Sequence, residues 1–523
     1  MPTLASDPTA KIRGIGSPPV EKHNDRCKLN DHSQDASATL LSVSELLQQH
    51  LPRFARQYLA WLPPHVLNVL ARLSLCRSRS LGRHCFQCPD CEGKSQVYNS
   101  CGERHCPQCG GARRKDWLEK TALLMLPGVA YFQVVLTVPD SLSPLILANR
   151  KTLYGLIMRS AWTTLREYLA AQGIQPAALL VLHTWNQRLK HHPHIHALVP
   201  AGGLSTDGQR WVPLDHLDQS LAETNRQLGQ RFRALLIRGV IKCLTASRRR
   251  TAIHLPGTLA PLAAPGALKV WLATVAPDGF RVFLQPPPTV RADPQQLLKY
   301  LARYLSGGPI SDRRLVSQHH DKITFLARSL TKPKRGERHQ QVAVEIPSME
   351  FVWRWSLHIL PKGMVRVRHY GHFGNRHRTA YLARCNELLG NGSIAPDVVA
   401  DTSTVAAEES HTETSLDNNS AETDNAHDSN VVETDNSHDN NVAKSLKDQL
   451  VLEALDAQLP SEESEVKPVG AVYHCPKCQQ VMICTEANRR PSWADTMKGP
   501  HRPKWCPRSA KSPRSNPSPG HPP

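Results

Sequence analysis

The chain has 523 residues, 40% hydrophobic and 21% charged, and its 64 Lys and Arg against 45 Asp and Glu leave a net charge of +19. That length exceeds one compact core, because domains run at roughly 100–200 residues, and the basic excess favours an anionic partner. The longest apolar run, 121–138, is broken by Pro127-Gly128 and Gln133, and the N-terminus lacks an apolar centre. A membrane span of about 20 apolar residues and a secretory signal are therefore disfavoured, and a cytoplasmic protein with no membrane partner is expected.

Taken from the N-terminus, residues 1–37 read as disordered and 38–125 as a metal-binding module. Six cysteines fall within 85–109, and the strongest subset is Cys88-x-x-Cys91 followed, after 14 residues, by Cys106-x-x-Cys109. A two-residue spacing lets one tight turn aim both thiolates at one ion, and two such turns close the four-sulfur tetrahedron that zinc prefers. This spacing predicts structural Zn2+ on Cys88, Cys91, Cys106 and Cys109, with Cys85, Cys101 and His105 as substitutes or neighbours. Near the other end, Cys475-x-x-Cys478 with Cys484 and Cys506 marks 467–506 as a candidate zinc ribbon. Cys27, Cys76, Cys243 and Cys385 stand alone and read as buried structural thiols.

The middle of the chain, 126–395, alternates strand-like and helix-like patterns. Residues 131–138 read as a strand and 142–172 as helical. Strands at 178–185 and 192–199 flank a polar turn from Asn186 to Lys190. Alternate residues of a strand share a face, so His194 and His196 point the same way. If the turn centres between Arg188 and Leu189, His183 lies opposite His194. Three imidazoles then converge from adjacent strands, a plausible divalent-ion site with open positions. His191 and His192, near the turn, are candidates for phosphate contact instead.

A hairpin is expected over 268–285, turning at Ala276-Pro277-Asp278-Gly279. A helix then follows over 293–308, with Asp293 as N-cap, Pro294 at its first position and Gly307-Gly308 ending it. Tyr300 and Tyr304 are i, i+4 neighbours at the edge of its apolar face. Wheel geometry alone reads both rings as edge-of-core packing. The histidine strands upstream raise a second reading, because a phenolate beside a bound cation can attack a phosphodiester.

These segments, with YNSCGERHCPQC, YFQVVLTVPD, KYLARYL, PISDRRL at 309–315 and HILPKGMVRVRHYGHF at 358–373, resemble the rolling-circle transposases of the insertion-sequence 91 type, within the HUH endonuclease superfamily. The resemblance runs in order from about 40 to 390. It implies a bacterial, DNA-associated α+β protein: a central antiparallel sheet flanked by helices, an N-terminal zinc module and a C-terminal ribbon. It further implies that His194 and His196 bind Mg2+ or Mn2+ and that Tyr300 and Tyr304 are paired nucleophiles. The family chemistry is nicking of one strand at single-stranded element ends, leaving a 5′-phosphotyrosine and a free 3′-OH for transfer to target DNA. His183 as third ligand rests on register alone, and a polar group near the tyrosine helix is its competitor.

Basic runs lie at 248–250, 332–335 and 366–378; the last mixes Arg366, Arg368 and Arg376 with Tyr370 and Phe373, which suits phosphate neutralisation with base stacking on a single strand. Residues 401–466 hold 17 acidic residues against Lys444 and Lys447, so the rest of the chain carries +34. With the near-repeat ETDNAHDSN/ETDNSHDNN inside it, 396–466 reads as a disordered acidic linker, and 507–523 as a disordered tail. Two other functions compete: a zinc-dependent DNA-binding protein with a degenerate nuclease, and a plasmid replication initiator or relaxase. The intact histidines and both tyrosines argue against the first. The zinc module, PISDRRL and LPKG argue against the second.

Overall fold

A computed structural model describes residues 41–59, 62–214, 221–245, 253–285, 309–331, 340–390 and 473–498. The tyrosine helix, the acidic linker, the basic runs at 248–250 and 332–335, and both chain ends fall outside these residues, as do Cys27 and Cys506.

The N-terminal part comprises α1 (Val43–Tyr58), α2 (Pro64–Ser74), the hairpin β1 (Arg83–Gln87) and β2 (Lys94–Tyr98), and α3 (Gly110–Ala122). Ser42 and Glu45 open α1 reciprocally: the Ser42 hydroxyl accepts the Glu45 N–H at 3.2 Å and the Glu45 carboxylate accepts the Ser42 N–H at 3.0 Å, which satisfies two donors that a helix start otherwise leaves bare. Then come β3 (Tyr131–Thr137), α4 (Ser143–Ala148), α5 (Arg150–Ala171), β4 (Ala177–Trp185), β5 (His191–Pro200), the short pair β6 (Gly202–Leu204) and β7 (Trp211–Pro213), α6 (Leu221–Thr245), α7 (Ala267–Thr274) and β8 (Val282–Gln285). The remainder is β9 (Leu315–His319), β10 (Lys322–Arg328), β11 (Gln341–Pro347), α8 (Ser348–Leu357), β12 (Val367–Gly371), α9 (Arg378–Leu388), β13 (Ile483–Ala487) and α10 (Trp493–Lys498).

The protein is α+β, and its centre is an antiparallel five-stranded sheet ordered β12-β4-β5-β3-β8. Alternation along the strands gives the sheet two unlike faces. Val134, Leu136, Leu180, Leu182, Ile195 and Ala197 pack with the apolar sides of α5 and α6. On the opposite face, Val135, Leu179, Leu198 and Phe283 pack with Tyr381, Leu382 and Cys385 of α9 and with Leu124 and Leu126 after α3. His183 of β4 and His194 and His196 of β5 belong to this second face.

A separate core joins α1 and α2 to chain far downstream: Leu46, Leu47, Phe54 and Leu70 share it with Ile323, Phe325, Phe351 and Trp355. The contiguous division expected at 125/126 therefore does not follow the cores, because β9–β11 and α8 bury their apolar sides against the N-terminal helices. The hairpin expected over 268–285 is also corrected. Its first arm is α7, with Leu268 and Leu272 buried at i, i+4 while Val270 is 68% exposed; a strand would have put all three on one face.

Candidate functional site

The β4–β5 turn fixes the centre of the site. The Asn186 side chain accepts the Arg188 and Lys190 N–H groups, each at 3.0 Å, and Leu189 adopts the left-handed conformation at φ 60. Outside groups clasp the turn's carbonyls. Arg314 donates to Gln187 O at 2.5 Å, Arg354 to Arg188 O at 2.8 Å and His358 Nε2 to Leu189 O at 3.0 Å. With the turn so held, His183 pairs with His194 across the strands, as a turn centred between Arg188 and Leu189 requires.

His183, His194 and His196 offer ring nitrogens that all lie within 4.8 Å of one another. The ring centroids are 5.1 Å apart for His183–His194, 4.3 Å for His183–His196 and 5.0 Å for His194–His196. Burial, reinforced by the other two imidazoles and Arg366, holds His183 well below the usual histidine range. Burial and the rings of His196 and His192 do the same to His194, and burial alone pushes His196 down to about 3. All three are thus neutral near pH 7, the state in which imidazole binds metal. His194 Nδ1 lies 2.8 Å from the His192 carbonyl; since a carbonyl only accepts, the proton is on Nδ1 and the Nε2 lone pair is left for a ligand role. The Gln133 side-chain amide lies 2.9 Å from His196 Nδ1; a metal on Nε2 puts the ring proton on Nδ1, which the amide accepts once turned to present its oxygen. The donor set fits a divalent transition ion.

His191 and His192 have other partners. His191 is buried between the Tyr154 hydroxyl and the Ser143 hydroxyl, each at 2.9 Å, and His192 Nδ1 meets Asp140 at 2.7 Å. Tyr300 and Tyr304 lie outside the described residues.

The expected quartet Cys88, Cys91, Cys106 and Cys109 does not form. The two pairs separate into different clusters: Cys106 and Cys109 join Cys76 and Cys101, whereas Cys88 and Cys91 join Cys475 and Cys478. In the first cluster the Sγ separations are 3.5 Å for Cys76–Cys109, 3.6 Å for Cys101–Cys109 and 3.5 Å for Cys106–Cys76. Four thiolates at ~2.3 Å from a tetrahedral zinc would stand roughly 3.8 Å apart, so this cluster has the right size. Cys76, expected to stand alone, is a member because α2 ends directly beneath the 101–109 loop; no spacing rule could find it. Cys385 is buried as a lone thiol. Cys85 lies with its Sγ 3.4 Å from Glu486 Oε2, outside both clusters.

Arg104 and His105, inside the loop, reach the LPKG segment. Arg104 donates to Met364 O at 2.6 Å, and His105 Nε2 accepts the Leu360 N–H at 3.2 Å. Two residues beyond Met364, the Arg366 guanidinium stacks over Trp185 at 5.0 Å, and Trp185 stacks on His183. The thiol loop and the imidazole face are therefore mechanically continuous.

The basic run 366–378 differs from the expected open track. Arg366 is 8% exposed, and Phe373 is a core residue. Tyr370 stacks on Trp162 with centroids 5.3 Å apart. The cause is that 367–371 is β12, paired to β4 as an edge of the central sheet, so alternate side chains turn inward. Arg376 is exposed and Arg368 is half-buried.

Comparison with known proteins agrees with this geometry. Residues 178–380 match a family described as "Putative transposase", and residues 46–138 match a "Transposase zinc-binding domain". A protein of Sinorhizobium fredii named "Putative transposase y4qJ" is 34% identical over 332 residues, 63% of this chain and 79% of that protein. The "Transposase for insertion sequence element IS801" of Pseudomonas savastanoi pv. phaseolicola is 26% identical over 335 residues, 63% of this chain and 75% of that protein. The chain belongs to the transposases of the insertion-sequence 91 type and carries their zinc-binding domain. No solved structure matches it, and no helix among the described residues is long and apolar enough to cross a membrane.

Proposed function

We propose that the chain acts on DNA by cutting one strand through a tyrosine, with a divalent ion held by His183, His194 and His196. The observation that carries this reading is the convergence of three neutral imidazoles on one sheet face. Three nitrogen donors, with no carboxylate in the group among the described residues, suit Mn2+ better than the harder Mg2+, which prefers oxygen. When bound, the ion polarises the scissile phosphate and favours the phenolate form of a neighbouring tyrosine.

The nucleophile is Tyr304, with Tyr300 as the second acceptor. The Tyr304 oxygen attacks phosphorus and the bond to the 3′ oxygen breaks. That oxygen takes a proton, and the 5′ end remains on the tyrosine. The phosphodiester bond energy is thereby kept for transfer to target DNA instead of being lost to water. Arg368 and Arg376 are read as phosphate contacts, with Arg366 and Tyr370 as the sheet-edge residues that position them. Cys76, Cys101, Cys106 and Cys109 are read as the zinc ligands of the N-terminal domain.

The test is incubation of the full chain with Mn2+ and end-labelled single-stranded DNA spanning an element end. A covalent 5′ adduct is expected. His196→Ala should abolish it while single-strand binding persists, because binding rests on basic surface. Tyr304→Phe should lose the first cleavage, and Tyr300→Phe mainly the later strand transfer. An adduct that survives in the double tyrosine variant would overturn the mechanism, and the reverse order of effects would exchange the tyrosine roles.

A further inference from the structure

Cys88, Cys91, Cys475 and Cys478 come from opposite ends of the chain, and Cys475 and Cys478 lie beyond both matched family segments. Cys88 and Cys91 form a knuckle at the end of β1, closed by the Cys88 N–H donating to Gly93 O at 2.8 Å. Cys475 and Cys478 form a second knuckle, closed by the Cys475 N–H donating to Gln480 O at 2.7 Å. The two knuckles face each other. The Sγ atoms of Cys88 and Cys478 are 3.4 Å apart, those of Cys91 and Cys475 3.4 Å, and those of Cys478 and Cys91 3.6 Å. A Cβ on Gly93 would sit 3.3 Å from both the Cys91 and the Cys475 sulfur, so a bare backbone lets the sulfurs close up. We propose that these four thiolates bind a second zinc ion, which latches the C-terminal segment 473–498 onto the N-terminal domain.

Facing knuckles on two strand ends supply the tetrahedral four-sulfur geometry that zinc takes in structural sites. Packing around the cluster extends the latch. β13 adds antiparallel to β1, giving the sheet order β13-β1-β2. The Phe86 and Tyr473 rings pack at 4.3 Å beside the sulfurs. Farther along, Arg490 donates to the Cys101 carbonyl at 2.7 Å, and Trp493 receives the guanidinium of Arg72 at 5.0 Å. The segment thus runs from one thiol cluster to the rim of the other. A single added strand of 5 residues with every side chain exposed has little apolar area to hold it, and a metal at its root supplies the missing attachment.

The two zinc sites differ in access. Cys76, Cys101 and Cys106 are buried, whereas Cys91 and Cys478 are exposed. A chelator should therefore empty the latch first and release 473–498 while the buried site keeps its ion. None of this depends on the tyrosine chemistry, and the experiment below reads zinc and thiols only.

Cys484 provides an internal control, since it is exposed on β13 and belongs to neither cluster. Alkylation of the zinc-loaded full chain, mapped by peptide mass, should label Cys484 rapidly and Cys478 at least about tenfold more slowly, because a zinc-bound thiolate is shielded. Brief chelation should bring the two rates together while Cys76, Cys101 and Cys106 stay protected. The paired substitution Cys475→Ser with Cys478→Ser should lower bound zinc by about one ion per chain. Equal labelling of Cys478 and Cys484 before chelation, or an unchanged zinc content in the variant, would overturn the proposal. The labelling arm uses the wild-type chain and so does not depend on the variant folding.

Discussion

Gln133 is the residue that best separates a metal-holding face from a merely buried cluster of histidines. It is 4% exposed and sits on β3, one strand away from the ligand set, with its amide 2.9 Å from His196 Nδ1. If His196 binds metal through Nε2, its Nδ1 carries the proton, and the amide fixes the ring's orientation by turning its oxygen to accept that proton. Gln133→Leu keeps the volume and removes that hydrogen bond. Outer-shell losses of this kind cost about 10–100-fold in metal affinity, which a Mn2+ titration of strand cleavage would show. Unchanged affinity would mean that the bond only satisfies a buried amide. The three histidines themselves were legible in the sequence, because strand periodicity is two and a centred turn fixes which residues face each other. Gln133 was not: its relation to His196 needs the β3–β5 register, in which Val135 lies opposite His196, and no local pattern encodes a pairing across more than sixty residues. Cysteine pairing failed for a related reason. A C-x-x-C motif declares that two thiols share an ion, and it is silent about where the other two come from.

At the scale of elements, the site depends on a five-residue turn held from outside. The strands β4 and β5 bring three histidines together only if the turn 186–190 keeps its register, and a slip of one residue would send alternate side chains to the other face. Leu189 is in a left-handed conformation, which a residue with a Cβ adopts at a cost of order 1 kcal/mol. Arg314 and Arg354 offset that cost by donating to the turn carbonyls at 2.5 and 2.8 Å. Arg314 also donates to Leu326 O at 2.8 Å, so its guanidinium ties the turn to β10. A lysine cannot reproduce the forked geometry. Arg314→Lys should therefore weaken Mn2+ binding and strand cleavage together, and lower stability by roughly 1.5–3 kcal/mol, the range for a hydrogen bond to a charged group. Cleavage at the wild-type rate with a lowered melting temperature would show that the clasp serves stability alone. The PISDRRL and HILPKG segments thus both support the histidine strands, because Arg314 and His358 end on the same turn. Elsewhere, the expected hairpin at 268–285 failed at its first arm. The apolar residues of ALKVWLAT fit an alternating pattern as readily as a helical one, and burial of Leu268 and Leu272 against α6 decided for α7.

For the molecule as a whole, burial of neutral histidines ties stability to pH. His105 is pushed down to about 4 by burial, His358 to about 3 by burial, and His369 to about 4 by burial. In the unfolded chain each would titrate near ~6.5. The unfolded state therefore binds more protons below that pH, and stability must fall with acidification. Their contribution is fully present above pH ~6.5 and is lost progressively as the pH drops through about 4 and about 3. His358 gives the cleanest test. Its Nε2–H donates to Leu189 O at 3.0 Å and its Nδ1 lies 3.3 Å from the Thr184 hydroxyl, and it is burial that holds the ring neutral. A single fully buried imidazole of this kind is worth on the order of 3–5 kcal/mol between the ends of that window. Thiolate protonation and loss of zinc also destabilise the chain in acid, so the wild-type slope alone does not isolate the histidine term. His358→Gln removes the titration and leaves the cysteine clusters untouched. The variant should melt below the wild type at pH 7, because the turn loses part of its clasp, and its melting temperature should fall less steeply between pH 7 and pH 5. Parallel curves for the two proteins over that interval would show that His358 is not the group whose protonation unfolds the sheet, and would leave the acid sensitivity to the other buried histidines and the zinc-binding cysteines.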